Sequence, residues 1–430
     1  MLLAAAAVLL AACGRERPLE GERLDPRALS LAGAMDVPEN RAAPISLPAP
    51  VNHAAWTHRG GSATHVIAHP ALAAEPALLW SAPIGRGEDR RFRISADPVM
   101  AEGRIFTLDA HATVAATGSD GRALWQRDLR PGWAGRGVAS GGGLAAGEGR
   151  LFVASGYGQL VALDPASGEV LWSKRFDAPV TAPPAVRGGR VFVVSADSVA
   201  FALEAATGRI VWQQAGAPSP AGVVGGAAPA VTERTVFLPF PSGDVAAVQA
   251  GTALELWRER IAGRRLGSAN AGVTDISGDP VVLGGTVFVG NRSGGVAALS
   301  AESGALLWRA REGAFGPVWP AGGSLFLISD QGELVRLSAS TGERIWGVAL
   351  PRYLDERERR RAEVVAHYGP VLAGGRLRVA SNDGLLRSFD PVSGELVGSV
   401  EIPGGATTHP VVVNGVLYVV ARDGRLHAFR

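Results

Sequence analysis

Four histidines near the N-terminus are the first residues whose type and spacing could do chemistry. They lie in NHAAWTHRGGSATHVIAH, residues 52–69, where His65 and His69 are four apart and could share a helix face as metal ligands. No acidic or thiol ligand stands nearby in the sequence, so we favour the alternative that this segment packs Trp56 onto the main domain. The chain has eight histidines, and they suggest no triad of nucleophile, base and acid. The sequence therefore predicts no catalytic residue and no metal site.

Cys13 is the one cysteine of the chain, and its position suggests a modification. It ends the short apolar run MLLAAAAVLLAAC, which is typical of a secretory signal and too short to span a bilayer. Residues 10–13, LAAC, resemble the lipobox of bacterial lipoproteins. That resemblance implies cleavage before Cys13, lipidation including a palmitate chain, and, with Gly14 next, transfer to the outer membrane. The alternative is an incidental cysteine in a discarded signal peptide.

The composition limits the classes of partner and of fold. The formal net charge is only +2 over 430 residues, which disfavours a nucleic-acid binder. The 57 glycines and the low charged fraction of 19% favour short strands joined by tight turns. Residues 1–12 are predicted to be the signal peptide, residues 13–75 a lipid-anchored tether that is partly ordered, and residues 76–430 a repeat domain.

The repeat domain contains seven similar units. Each has a strand, a turn with Gly or Asp, a second strand, a turn such as DPASG, and a third strand that usually ends at Trp; a proline-led strand precedes most of them. Four recurring strands predict a propeller blade. The units cover residues 103–125, 149–172, 189–212, 234–257, 285–308, 323–346 and 375–398.

An eighth blade is split between the two ends of the domain. The stretch PALLWSAPI, residues 76–84, matches the last strand of a unit, while the C-terminal HPVVVNGVLYVVARDGRLHAFR supplies three strands and no Trp strand. Pairing the two would close the ring and remove free strand edges. The sequence predicts an all-β, eight-bladed propeller of four-stranded antiparallel blades, closed by an N-terminal strand.

Seven tryptophans mark the strand ends of the blades, and Gly398 stands at the eighth position. A stripe of tryptophans could form an aromatic ligand platform, but one per blade at a fixed position favours packing between blades. The seven are Trp80, Trp125, Trp172, Trp212, Trp257, Trp308 and Trp346.

These units resemble the PQQ-like propeller repeat, and with the lipobox and eight blades the chain resembles the BamB family. These are lipoproteins of the outer-membrane β-barrel assembly (BAM) machinery. The resemblance implies a non-enzymatic scaffold without cofactor. It implies a monomer within a hetero-complex on the periplasmic face of the outer membrane. It also implies binding to the periplasmic POTRA domains of BamA, contact with nascent outer-membrane proteins, and assistance in their insertion.

The resemblance also places partner contacts in two loops. In GAPSPAGVVGGAAPAV, residues 216–231, Val223 matches an apolar contact and Val224 stands where the family has arginine. In GSANAGVTDISGDPVV, residues 267–282, Asp275 matches the first acid, Ser277 replaces the second, and Asp279 is the candidate to stand in for it. The alternative is that both loops are ordinary surface connections.

Two other functions use the same architecture. A quinoprotein dehydrogenase with PQQ and Ca²⁺ shares the repeat, but it needs oxygen ligands, a carboxylate base and often adjacent cysteines. The nearly back-to-back repeats contain no inserts that would build such a pocket. A periplasmic adaptor for another envelope complex is the second alternative. The insertion at residues 350–369 is charged, and we interpret it as a solvated loop.

Overall fold

The computed structural model describes residues 39–134, 141–219, 226–261, 275–355, 357, 361 and 363–430. Across these ranges the regular structure consists of thirty-two strands, with a single 3-10 turn at Gly132–Ala134. The strands form eight separate four-stranded sheets. Valine and other β-branched residues are frequent in the second and third strands of each sheet, where nearly every side chain is buried.

Seven sheets are made of four consecutive strands, and we number these blades 1 to 7 in chain order. Each has the order of a meander, so every neighbour pair is antiparallel. Blade 1 contains β2 (Val99–Ala101), β3 (Arg104–Leu108), β4 (Thr113–Gly118) and β5 (Ala123–Asp128); blade 2 β6 (Gly142–Gly147), β7 (Arg150–Ser155), β8 (Gln159–Leu163) and β9 (Val170–Arg175); blade 3 β10 (Ala185–Arg187), β11 (Arg190–Val194), β12 (Val199–Glu204) and β13 (Ile210–Ala215); blade 4 β14 (Ala230–Val231), β15 (Thr235–Pro239), β16 (Asp244–Gln249) and β17 (Glu255–Arg260); blade 5 β18 (Val281–Leu283), β19 (Thr286–Asn291), β20 (Gly295–Ser300) and β21 (Leu306–Ala310); blade 6 β22 (Trp319–Ala321), β23 (Ser324–Ile328), β24 (Glu333–Ser338) and β25 (Arg344–Ala349); blade 7 β26 (His367–Ala373), β27 (Arg376–Ser381), β28 (Leu385–Phe389) and β29 (Leu396–Glu401).

Blade 8 joins the two ends of the repeat domain and confirms the predicted closure. It is built from β30 (Val411–Val413), β31 (Val416–Val420), β32 (Arg425–Phe429) and β1 (Leu78–Pro83), with β1 outermost against β32. The Ala77 and Arg430 backbones exchange two hydrogen bonds of 2.8 and 2.9 Å. Ser81 lies opposite His427, and their side chains are hydrogen-bonded at 2.6 Å. β1 therefore covers the edge that β32 would otherwise leave and completes the four strands of blade 8.

The meander gives the ring two distinct faces. The first and third turns of each blade lie on one face, which we call the lower face. The second turns and the links between blades lie on the other, the upper face. The two predicted partner loops are the links between blades 3 and 4 and between blades 4 and 5. They therefore belong to the same face.

The tryptophans of the outer strands pack between blades, as predicted. In six of them the indole N–H donates to a backbone carbonyl of the next blade at 3.0 to 3.1 Å. Trp125 also packs against Phe106 of its own blade, with ring centroids 5.9 Å apart. Below it Gly168 has φ +70°, and a Cβ there would lie 2.5 Å from the indole. The repeated glycine is needed for both the turn and the tryptophan.

We expect the closure to depend on Trp80. Its indole donates to the Ser119 carbonyl of blade 1 at 3.1 Å and packs near Tyr418 of blade 8, at 5.9 Å between centroids. Trp80→Ala should lower the free energy of unfolding by about 3 kcal/mol. Leu79→Ala is the matched control, because Leu79 in the same strand is 54% exposed. Chemical denaturation measures both, and equal losses would contradict the role of Trp80.

Candidate partner-binding site and the central channel

The N-terminal segment from residue 39 onward is part of the ring. It begins at the outer strand of blade 6, where the Asn40 side-chain amide exchanges two hydrogen bonds of 2.9 Å with the Gly347 backbone. The Arg41 amide donates to the Ile345 carbonyl at 3.1 Å. From there the chain crosses to the centre and returns to begin β1. Its amide and carbonyl groups therefore have partners in the propeller, as buried backbone requires.

Two buried arginines bind this segment, one where it enters the centre of the ring and one where it leaves. Arg336 of blade 6 donates to the carbonyls of Ala43 at 2.6 Å and Pro44 at 3.2 Å. Arg378 of blade 7 donates to those of Ala73 at 2.8 Å and Ala74 at 3.0 Å. Both guanidinium groups thus have backbone carbonyls of this segment among their hydrogen-bond acceptors.

Arg378 is also a departure from the aromatic pattern of the other blades. It stands where blades 1 to 6 have the phenylalanine of the Phe–Trp pair, and Gly398 stands at the tryptophan position. Gly398 has no side chain to fill the space, and the Arg378 side chain is fully buried. Burial, with a smaller effect of Arg376, lowers the pKa of Arg378 to about 10. The sequence revealed the missing tryptophan at Gly398, where a Cβ would lie 3.9 Å from Arg376 Nη1.

Residues 51–71, which we call the channel loop, fill the centre of the ring. The two ends of the loop meet, with the Val51 amide 2.7 Å from the His69 carbonyl and the Ala71 amide 2.9 Å from the Val51 carbonyl. Between them the loop contacts the innermost strand, or the turn after it, in all eight blades. The contacts from blade 1 to blade 8 are with Met100, Ala146, Val186, Val231, Val282, Trp319, Gly374 and Asn414.

Trp56 is the apolar anchor of the channel loop. Only 2% of it is exposed, and its backbone forms two hydrogen bonds of 2.8 and 2.7 Å with Met100. Its ring stacks on Trp319 of blade 6, with centroids 6.2 Å apart and planes at 21°. The prediction that this segment packs Trp56 onto the main domain is confirmed. The cavity beside Trp56 and Trp319 has a volume of about 20 Å³, room for a water molecule. An organic cofactor needs several hundred Å³, so this cavity does not fit PQQ.

The histidines of the channel loop bond to different blades. His58 Nε2 accepts from the Val186 amide of blade 3 at 2.9 Å. His65 Nδ1 lies 2.7 Å from the Pro280 carbonyl of blade 5, whereas His69 Nε2 accepts from the Gly375 amide of blade 7 at 2.8 Å. Across the described residues no three His, Cys, Asp or Glu side chains are grouped as metal ligands. Burial lowers the pKa of His58 to about 3 and also lowers that of His65, against the opposing effect of Asp279.

Arg59 is the charged centre of the channel loop. Its Nε lies 3.0 Å from Asp97 Oδ2, and its Nη1 lies 3.2 Å from Asp279 Oδ1. Burial alone would lower the pKa of Arg59, but Asp279 and Asp97 outweigh it and raise this pKa. The two aspartates precede the prolines that open the innermost strands of blades 1 and 5, which are opposite each other in a ring of eight. Arg59 therefore connects opposite sides of the propeller.

The predicted partner-binding residues occupy different environments. Val223 and Val224, like Cys13, lie outside the described residues. Asp275 is 5% exposed and lies near Arg292, whose pKa is lowered by burial despite the opposing effect of Asp275. Ser277 donates to the Ala314 carbonyl at 2.6 Å. The structure brings Asp275, Ser277 and Asp279 together in one link on the upper face.

Asp279 faces the channel and not the solvent. It is 1% exposed, and its Oδ1 accepts from the Ala228 amide at 2.7 Å as well as from Arg59. The sequence analysis did not identify Arg59 as a functional candidate. The signal that could have suggested it was the pair of Asp-Pro dipeptides at 97–98 and 279–280, because both aspartates stand directly before the proline that opens an innermost strand.

Comparison with known sequences finds a family model and relatives that share one name. The family model described as outer membrane protein assembly factor BamB matches residues 110–348 and 355–430. BamB of Salmonella typhimurium is 29% identical over 361 residues, which cover 82% of this chain and 88% of that protein. BamB of Alteromonas naphthalenivorans is 30% identical over 367 residues, 81% of this chain and 85% of that protein.

Two solved structures show the fold. The crystal structure of BamB from Moraxella catarrhalis has a TM-score of 0.65 at 20% identity and covers 83% of this chain and 98% of that one. Quinohemoprotein alcohol dehydrogenase from Comamonas testosteroni has a TM-score of 0.67 at 14% identity, over 87% of this chain and 80% of that one. Within the described ranges no helix is long and apolar enough to cross a membrane.

The buried histidines predict that the fold loses stability in mild acid. The pKa of His58 falls from 6.5 in the unfolded chain to about 3 in the fold, and the pKa values of His65, His367 and His427 are lowered too, chiefly by burial. Below pH 6.5 the unfolded state binds more protons, so stability is complete above this pH and decreases as the pH falls.

His58→Gln should reduce this dependence, because glutamine can accept the Val186 hydrogen bond without titrating. Between about pH 6 and 4.5 the slope of unfolding free energy against pH should decrease by up to about 1.4 kcal/mol per pH unit, the value for one proton. Urea denaturation at several pH values measures both slopes. Identical slopes in the variant and the parent would show that His58 does not contribute.

The N-terminal segment should be required for a stable ring. Deleting residues 1–75 removes the channel loop and the carbonyls that bind Arg336 and Arg378, leaving two buried cations without those acceptors. The thermal unfolding midpoint of this deletion variant should fall by about ten degrees or more, which corresponds to a loss on the order of several kcal/mol for a chain of this size. Aggregation of the variant would be the stronger form of the same result. Deletion of residues 1–38 is the control, because every contact described above is retained. Equal thermal midpoints for the two deletions would contradict this role.

Proposed function

The chain belongs to the BamB family of outer membrane protein assembly factors, and from this we propose that it is a scaffold subunit of the BAM complex. In this proposal it binds the POTRA domains of BamA and assists folding and insertion of outer-membrane proteins. The observation that carries the proposal is the family match over residues 110–348 and 355–430, which includes strands of all eight blades. A rigid ring with variable links on one face is suited to holding a partner without chemistry of its own.

We place the partner contact on the upper face, at the links between blades 3 and 4 and between blades 4 and 5. The hydrogen bond from the Ala228 amide to Asp279, 2.7 Å long, joins the ends of these two links. Val223 and Val224 would supply apolar contacts in the first link, and Asp275 with Ser277 polar contacts in the second. Asp279, which faces the channel, would not contact the partner but would fix the position of the second link. Apolar and polar groups side by side are typical of a small, specific interface.

We further propose that a lipid on Cys13 anchors the protein to the periplasmic face of the outer membrane. The 25 residues from 14 to 38 would separate that anchor from the first described contact, at Asn40. Covalent geometry limits this separation to about 85 Å. The ring would remain near the membrane, where nascent outer-membrane proteins and the assembly machinery are available. Anchoring would also raise the effective concentration of the two partners.

The structure does not distinguish an adaptor from a BAM subunit, but it does provide an argument against a dehydrogenase. An adaptor for another envelope complex would use the same anchor and the same face, so only the identity of the partner distinguishes it. A PQQ-dependent dehydrogenase would need space for its cofactor, and the channel loop fills the centre with Trp56 and Arg59. The curated relatives are assembly factors by name, and the dehydrogenase structures share only the fold.

Binding to purified POTRA domains tests this proposal. The double change Val223→Glu with Asp275→Asn should weaken binding at least about tenfold, or about 1.4 kcal/mol. Asparagine is used because Asp275 is nearly buried, and a larger cation there would disturb the fold. Leu283→Glu is the matched control, since Leu283 is 46% exposed at a first turn on the lower face.

Titration calorimetry measures the affinity, and thermal unfolding shows whether each variant is folded. Unchanged affinity in a folded double variant would remove these links as the contact site. A parent protein that does not bind POTRA domains would favour the adaptor alternative. Recovery of bound PQQ from the native protein would contradict the scaffold proposal.

A further inference from the structure

Both links of the proposed partner site end at the same side chain of the channel loop. Arg59 Nη1 lies 3.4 Å from the Gly226 carbonyl, in the link between blades 3 and 4, and 3.2 Å from Asp279 Oδ1, in the link between blades 4 and 5. The same Oδ1 accepts from the Ala228 amide at 2.7 Å. One guanidinium and one carboxylate thus hold the inner ends of two separate links.

We propose that Arg59 is a positioning residue for partner binding: from inside the channel it fixes the spacing and direction of the two upper-face links. The inference rests on the proposed function only for the identity of the bound partner. The positioning itself is a property of this chain and can be measured without a partner. Arg59 does not contact the partner in this proposal, because its guanidinium lies in the channel beneath the links, between Asp97 and Asp279.

The geometry of an arginine side chain suits this role. Its planar guanidinium has five N–H donors in a fixed fork, so groups on different sides can be bound at once. Asp97 of blade 1 holds Nε at 3.0 Å, while Asp279 of blade 5 and Gly226 bind Nη1. Asp97 is itself held by His409 of blade 8, whose Nδ1 is 3.0 Å away and whose amide donates at 2.8 Å. The orientation of the guanidinium is thus set from the opposite side of the ring.

Fixing the inner ends of the two links would increase the affinity for the partner, because the binding site would already be ordered before the partner binds. Residues 226–228 follow the stretch with Val223 and Val224 directly, and Asp279 lies four residues after Asp275. If these ends are fixed, less conformational freedom is lost when a partner orders the links. If they are released, the same contact residues are present but must be ordered during binding. The expected defect is weaker binding with unchanged surface chemistry.

Two variants test the inference while keeping the ring folded. Arg59→Met removes the guanidinium at similar side-chain length. Arg59→Met combined with Asp279→Asn also removes the carboxylate that would otherwise be buried without its cation, whereas Asp97 keeps His409. The Asn oxygen can still accept from Ala228. Arg209→Met is the matched control, because Arg209 forms an exposed ion pair with Glu204 at a third turn on the lower face.

Hydrogen exchange read by mass spectrometry gives the first measurement, on peptides covering residues 226–231 and 275–283. In both Arg59 variants the protection of these peptides should fall by about tenfold or more, while that of β7, β15 and β19 is retained. Affinity for purified POTRA domains should fall by about tenfold in the same variants. The Arg209 control should change neither quantity.

The outcomes separate this inference from the proposed function. Unchanged protection of the two links in a folded Arg59 variant would overturn the positioning role. Reduced protection with unchanged POTRA affinity would overturn its importance for binding. If the parent protein does not bind POTRA domains, the proposed function fails, and the exchange measurement alone still supports or overturns the control of the links by Arg59.

Discussion

The ion pairs of Arg59 with Asp97 and Asp279 connect opposite sides of the ring, and much of the structure is arranged around them. Eight blades leave a channel along the axis, and the innermost strands that line it present backbone groups and small apolar side chains. The channel loop supplies hydrogen-bond partners to those strands and an apolar anchor in Trp56. A buried cation without partners would be strongly destabilising, but here it is placed between two carboxylates. The loop is therefore held by charge at its tip and by packing along its length.

The ring itself was largely predictable from the sequence because the same packing contact is repeated from blade to blade. Each outer strand has to cover the next blade, and a tryptophan over a glycine turn solves this with one hydrogen bond and one ring contact. Repetition made the pattern visible, and it also made the orphan strand around Trp80 and the missing residue at Gly398 visible. The strand order of blade 8 then follows from the rule that sheets avoid free edges.

The channel loop was not predictable in the same way, because its contacts have no period. It contacts all eight blades, seven of them through hydrogen bonds and blade 6 through the stacking of Trp56 on Trp319, and some partners, such as Asn414, lie more than three hundred positions away in the chain. Arg378 shows the same limit: its departure from the aromatic pattern is visible, but the carbonyls of Ala73 and Ala74 that bind it are far away in sequence. For the candidate site, the sequence placed Asp279 among partner contacts because it stands next to an acidic position of the family. The structure gives its carboxylate an internal partner, Arg59, which sequence spacing could not indicate.

The channel also bears on why one architecture serves both enzymes and assembly factors. The blades alone do not distinguish the two classes, since similar rings are found in both. The described part of this chain fills the space on the axis with its own N-terminal segment. In this chain Trp56, Arg59 and His58 occupy that space with covalently attached side chains, and removing them would leave the buried carboxylates of Asp97 and Asp279 without the cation between them. An occupant that the ring needs for its own stability cannot readily be exchanged for a cofactor. The proposed partner contacts therefore lie away from the axis, on the upper-face links whose inner ends are held by the same loop.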